Sequence, residues 1–139
     1  MNQIKTMQQH LIDADGVSGL LSAGWRAFDL VRAVAGASAD HAGDIYPAFM
    51  FARGAAVSGR NAVAFAPSLP SDCAPHPGIP VAFTRDVYEI ADAIAELASV
   101  LGGRLLEAAA IASDAGDRVA CENAATDAER IRRLLAKGA

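Results

Sequence analysis

Cysteine, lysine and aromatic residues are scarce in this chain of 139 residues. The two cysteines, Cys73 and Cys121, are too few for a disulfide framework or a thiolate zinc site, so we expect free thiols. The sequence motifs of phosphate-binding loops, zinc proteases and serine hydrolases are absent. The sequence therefore predicts no metal and no cofactor, assigns no catalytic residue and leaves enzymatic activity undecided.

Long apolar runs and an excess of basic residues are also missing. The most apolar stretch, residues 45–57, contains Pro47, Arg53 and Gly54 and is shorter than the roughly 20 residues that a membrane span needs. Residues 1–10 are polar and lack a signal-peptide core, so we expect a cytoplasmic protein without membrane binding. A net charge of -4, from 12 basic and 16 acidic residues, disfavours nucleic acid as a partner.

Alanine is the residue that the chain has in abundance, with 32 copies, and 53% of all residues are apolar. Because alanine is the strongest helix former, this composition predicts an all-α fold with closely packed helices. The length suits one domain with its own core, and we expect residues 1–139 to form a single helical-bundle domain. The excess of alanine, glycine and arginine over lysine also indicates a GC-rich bacterial genome.

Apolar residues at helical spacing predict two helices at the start of the chain. The first covers residues 4–11 and ends at an Asp- and Gly-containing turn, residues 13–16. The second covers residues 17–35, and charged residues such as Asp29 fall between its apolar positions. Residues 36–43 collect glycine, serine, aspartate and histidine, which predicts a connection between helices.

A third helix is predicted over residues 45–63. Asp44 is its candidate N-cap, and Pro47 falls in the first turn, where a missing N–H costs nothing. The alternative is a pair of short strands, residues 62–66 and 81–83, because each run contains valine and phenylalanine. The alanines favour the helix.

A proline-rich segment separates this half of the chain from the next. Five prolines within the 14 residues 67–80 exclude a regular helix and predict an extended surface connection. Asp86 and Glu89 then have the spacing of a capping box. An apolar stripe at helical spacing follows, formed by Val87, Ile90, Ile94, Leu97, Leu101, Leu105 and Ala108. The stripe changes phase at residues 102–103, both glycine, which predicts a kink or a close small-residue contact and leaves open whether residues 84–115 form one helix or two.

The last helix is predicted over residues 117–137, after a turn at residues 113–117. Its inward stripe is Cys121, Ala124, Ala128, Ile131 and Leu135. Acidic residues near its start and basic residues near its end match the helix dipole, and Glu129 and Arg133 are spaced for an ion pair. Together these segments predict an antiparallel bundle of four or five helices with a Pro-rich connection in the middle.

The most concentrated polar segment is residues 40–44, Asp-His-Ala-Gly-Asp. A histidine between carboxylates suits a general base or a metal ligand, because a carboxylate fixes the imidazole tautomer, but two ligands do not make a metal site. The aromatic residues of this half are expected in the core, or alternatively around a small-ligand pocket with polar groups nearby. The candidate ligand-binding residues are His41, Asp44, Tyr46 and Arg53.

Two functions follow from these features. Surplus apolar surface on a small monomer promotes aggregation, and alanine-rich helix faces pack well against a second copy. We therefore expect a non-catalytic helical bundle that acts through protein–protein contacts, as a homodimer or with a protein partner that the sequence does not identify. The alternative is a small-molecule-binding or enzymatic bundle with its site near the four candidate residues.

Overall fold

The computed structural model describes residues 2–71 and 86–136, and the elements in these two ranges are helical. The α-helices are α1 (Asn2–Asp13), α2 (Gly16–Ala39), α3 (Tyr46–Ala64), α4 (Val87–Ile111) and α5 (Ala115–Leu135), and a 3-10 turn (Gly43–Ile45) precedes α3. The all-α prediction is confirmed. Residues 62–64 belong to α3, so the first alternative strand is wrong, and its counterpart at residues 81–83 lies outside the described residues.

Four of the helices close a ring in which α2 packs on α3, α3 on α5, α5 on α4 and α4 on α2. Asp29 of α2 contacts Arg60 of α3, and Gly36, later in α2, contacts Arg53, earlier in α3. The two helices are therefore antiparallel. A turn at residues 112–114 joins α4 to α5 as a hairpin. Helix α1 packs across α4 and α2, so the bundle has five helices among the described residues, in agreement with the predicted four or five.

The connection between α2 and α3 is shorter than predicted. Residues 36–39 are the last turn of α2, so the predicted connection at residues 36–43 is wrong for its first half. Burial of the apolar residues Ala35 and Ala39 holds this turn in the helix. Asp44 is not the N-cap of α3, since the 3-10 turn places Ile45 at that position without a side-chain cap. The other prediction for the start of α3 is confirmed, because Pro47 lies in its first turn.

Helix α4 is one continuous helix of 25 residues across both glycines. Its N-cap is Asp86, whose carboxylate accepts a hydrogen bond from the Tyr88 backbone N–H at 2.9 Å. A Cβ on Gly102 would lie 3.6 Å from the Ala128 Cβ, so the predicted small-residue contact with α5 is confirmed. Asp114 caps α5, which therefore begins two residues earlier than predicted.

The buried residues of all five helices form one hydrophobic cluster. Every member of the predicted α4 stripe except Val87, which is partly buried, lies in the core, and so does the whole α5 stripe. The Pro-rich connection and Cys73 fall largely outside the described residues, although residues 67–71 are irregular as predicted. None of the described helices combines the length and the apolarity needed to cross a membrane.

The charged residues near the end of α5 are paired within their own helix. Glu129 lies 3.8 Å from Arg133, as predicted, and 2.5 Å from Arg132. The hydrogen bond from Arg132 lowers the pKa of Glu129. Arg130 likewise lies 3.2 Å from Asp127. The pairs of Glu129 with Arg132 and Arg133 are exposed and contribute little stability, whereas the pair of Arg130 with Asp127 has a buried carboxylate.

The thiol of Cys121 is expected to be unreactive in the folded protein. It is buried in α5, and burial, with the nearby charges of Asp117 and Glu122, raises its pKa from 9.0 to about 11. About one thiol in a thousand is then ionised at pH 8. In a Cys73→Ser variant, we expect a disulfide reagent at pH 8 to label Cys121 on the order of a hundred times more slowly in native protein than in denatured protein.

The same pKa shift fixes a pH dependence of stability. Because the folded pKa of Cys121 lies above the unfolded value, its contribution to stability is present below about pH 9 and is lost as the pH rises toward 11. In the labelling experiment on Cys73→Ser at pH 8, equal rates in native and denatured protein would contradict the buried position of Cys121 and therefore also its raised pKa.

Candidate functional site

The structure separates the four candidate residues into two pairs. His41 and Asp44 are exposed in the connection that follows α2. Tyr46 and Arg53 lie two turns apart on α3 and line one side of an open groove against α2, which we call the α2–α3 groove. His41 and Asp44 are not part of its wall, so the structure does not bring all four side chains to one place.

The α2–α3 groove has a volume of about 420 Å³ and is lined by side chains of both charge signs. Arg32 and Asp40 contribute from α2 and its end, and Met50 joins Tyr46 and Arg53 from α3. The floor consists of the small residues Ala33, Gly36 and Ala37. Two of the predicted residues therefore share a groove with a second arginine that the sequence analysis did not single out.

Arg53 crosses this floor because α2 has a glycine at the contact. A Cβ on Gly36 would lie 3.3 Å from both the Cδ and the Nε of Arg53, closer than an ordinary side-chain contact. The stem of Arg53 is thus packed against the backbone of α2. Within residues 2–71 and 86–136, no carboxylate lies within 4 Å of its guanidinium, so the cation faces the groove without an ion-pair partner.

A buried charge cluster lies beside the groove, and the sequence pattern missed it. Asp29 is fully buried on α2, with Arg60 Nη1 of α3 at 2.6 Å and Arg32 Nε at 3.0 Å from the same carboxylate oxygen. The Arg60 guanidinium also lies 5.7 Å from the ring centroid of Trp25. Trp25, Asp29 and Arg32 are spaced i, i+4 and i+7, so they share one face of α2. This spacing is the sequence signal that could have indicated the cluster. Arg32 joins the cluster to the groove.

The aromatic residues do not form the alternative pocket. Phe28 and Phe49 are fully buried in the core, as expected. Phe51 and Phe65 were also expected in the core, but they are 67% and 84% exposed. Both project from α3 toward solvent because their positions fall on the side of the helix that faces neither α2 nor the bundle centre.

These two phenylalanines belong to an exposed stripe along α3, which we call the α3 outer face. Its members share helical spacing, solvent exposure and lack of charge: Pro47, Phe51, Gly54, Ser58, Asn61 and Phe65. Ser58 donates a hydrogen bond to Asp127 of α5 at 3.0 Å and lies seven residues from each phenylalanine. A Cβ on Gly54 would have no neighbouring atom within 4 Å, so the middle of the face is open.

The described part of the chain holds no group of candidate metal ligands, and its one described cysteine is buried. No three histidine, cysteine or acidic side chains there are grouped to hold a metal ion. Cys121 is buried with a raised pKa, which makes it a poor nucleophile at neutral pH. The arrangement offers fixed cations in a groove and an uncharged helix face.

Comparisons with protein families, with curated proteins and with solved structures find no match for this chain.

Proposed function

We propose that this chain is a non-catalytic helical bundle that acts through protein–protein contacts, with two copies joined as a homodimer across the α3 outer face. The observation that carries the proposal is the exposure of Phe51 and Phe65 on a face that bears no charge. Burying apolar surface yields about 25 cal/mol per Å², so two exposed phenylalanines favour association. The six residues of this face carry no charge themselves, which lowers the desolvation cost of burying them.

The spacing of this face suits a two-fold symmetric contact. In such a contact the same patch serves both subunits, so residue i meets residue j and j meets i. Phe51 and Phe65 lie at equal distances along the chain from Ser58. A two-fold axis over Ser58 with antiparallel α3 helices brings Phe51 of one protomer beside Phe65 of the other, and the reverse. Gly54 then permits close approach of the two helix backbones.

Gly54→Gln tests this arrangement because it affects the monomer and the dimer in opposite directions. In the monomer the new side chain enters open space, and glutamine is a better helix former than glycine by about 0.5 to 1 kcal/mol. In the dimer it fills the space that the second α3 needs. We expect the wild-type protein to sediment as a dimer at micromolar concentrations, and the variant to have a dissociation constant at least about a hundredfold higher.

Gly103→Gln provides the matched control. Gly103 is exposed on α4, it also has no atom within 4 Å of a Cβ, and it lies outside the α3 outer face. The control variant should sediment like the wild-type protein. A wild-type monomer at these concentrations would overturn the homodimer, and a dimer unaffected by Gly54→Gln would assign the contact to another face.

A further inference from the structure

We propose that the α2–α3 groove binds a small monocarboxylate, and that Arg53 and Arg32 hold the carboxylate. This site is independent of the proposed dimer, because the groove side chains of α3 project from a different side of the helix than the α3 outer face. The inference rests on three features of the groove: an arginine without an ion-pair partner among the described residues, a second arginine held in place, and a carboxylate, Asp40, at the other end.

Arg53 is the first of these features. Its stem lies on Gly36, with Cδ and Nε both 3.3 Å from the position of a Cβ, so the guanidinium is held at the groove. Ordering a long side chain before a ligand arrives reduces the entropy that binding must overcome. The planar guanidinium matches a carboxylate through two parallel hydrogen bonds, which a lysine does not reproduce. Arg53 is therefore a preorganised carboxylate donor.

Arg32 lies one helical turn before Gly36, about 6 Å along the axis of α2. Its Nε donates to Asp29 at 3.0 Å, which fixes the orientation of the head group. Asp29 also accepts from Arg60 at 2.6 Å, so two arginines surround one carboxylate and leave positive charge in excess. The groove side of this cluster thus attracts an anion.

The other end of the groove limits what that anion can be. Asp40 lies one turn after Gly36, at the end of α2, and repels a ligand with a second negative charge. Tyr46 and Met50 provide the apolar part of the wall. A single negative charge therefore distinguishes the ligand from inorganic phosphate.

Benzoate is a suitable probe for this class, and the titration is followed by amide and arginine Nε chemical shifts. We expect saturable shifts at Gly36 and Arg53, and at least about tenfold weaker binding in Arg53→Gln. Arg26→Gln is the matched control, since Arg26 is an exposed arginine of α2 outside the groove, and its affinity should stay within about twofold. Phosphate and benzylamine should give no saturable shifts at these positions.

Carrying out the titration in the Gly54→Gln protein as well separates this site from the dimer, because binding should be the same in both proteins. Three results would overturn the inference: no saturable shifts with benzoate, equal binding by Arg53→Gln, or phosphate binding as tight as benzoate. A loss of benzoate binding in Arg26→Gln equal to that in Arg53→Gln would also overturn it, since the effect would then reflect overall charge.

Discussion

Gly59→Ala is expected to destabilise the protein by about 2 kcal/mol, although alanine is a better helix former than glycine. Gly59 of α3 faces Phe28 of α2, and a Cβ at this position would lie 2.2 Å from Phe28 Cε1 and 2.4 Å from its Cζ. Phe28 is fully buried, so the ring has no free space into which to move. Overpacking typically costs roughly 1 to 3 kcal/mol, and a clash of 2.2 Å with a buried ring belongs at the upper end of that range, so a net loss of about 2 kcal/mol remains after the helix gain of about 1 kcal/mol.

Chemical denaturation measures this effect, and Gly103→Ala is its control. Gly103 of α4 has open space around the position of a Cβ, so the same substitution there should stabilise the protein by up to about 1 kcal/mol. Adding Phe28→Leu to Gly59→Ala should recover part of the loss, because the smaller side chain makes room for the methyl group. If Gly59→Ala proved neutral or stabilising, α2 and α3 would not approach as closely as this contact requires.

The helices themselves could be predicted from the sequence because their signal is local. An apolar stripe such as that of α4 identifies a buried face wherever the rest of the chain lies, and Asp86 marks its start through a bond to a residue two positions away. The end of α2 was missed for the opposite reason. Glycine and serine at residues 36–38 have a loop-like composition, but burial of Ala35 and Ala39 on either side of them keeps this turn helical.

The candidate site was only partly predictable, because its geometry depends on which helices become neighbours. Tyr46 and Arg53 share a helix face and were found together, whereas Arg32 comes from α2 and joins them through tertiary packing. His41 and Asp44 are adjacent to these residues in sequence, yet the 3-10 turn leaves them exposed outside the groove wall. The exposure of Phe65 at the end of α3 also follows from helix packing, which residue type alone did not indicate.

The partner of Asp29 was equally hidden, since Arg60 is 31 residues away, and this pair gives the largest expected loss of stability. Arg60→Met should cost about 2 to 3 kcal/mol, because it removes one charged hydrogen-bond donor from a fully buried carboxylate. The variant also loses the contact of the guanidinium with the Trp25 ring, which contributes about 0.5 to 1 kcal/mol.

The reverse change, Asp29→Leu, should cost less. Arg60 and Arg32 are 23% and 26% exposed, so both retain access to water when the carboxylate is removed, whereas Asp29 has none. In the double variant Asp29→Leu, Arg60→Met the buried carboxylate disappears, and leucine and methionine fill the space with apolar atoms. Its loss of stability should therefore be smaller than that of Arg60→Met alone, and the coupling free energy from the four denaturation curves should exceed about 1.5 kcal/mol. Additive losses would show that Asp29 and Arg60 contribute to stability independently. That result would contradict the 2.6 Å contact between their side chains.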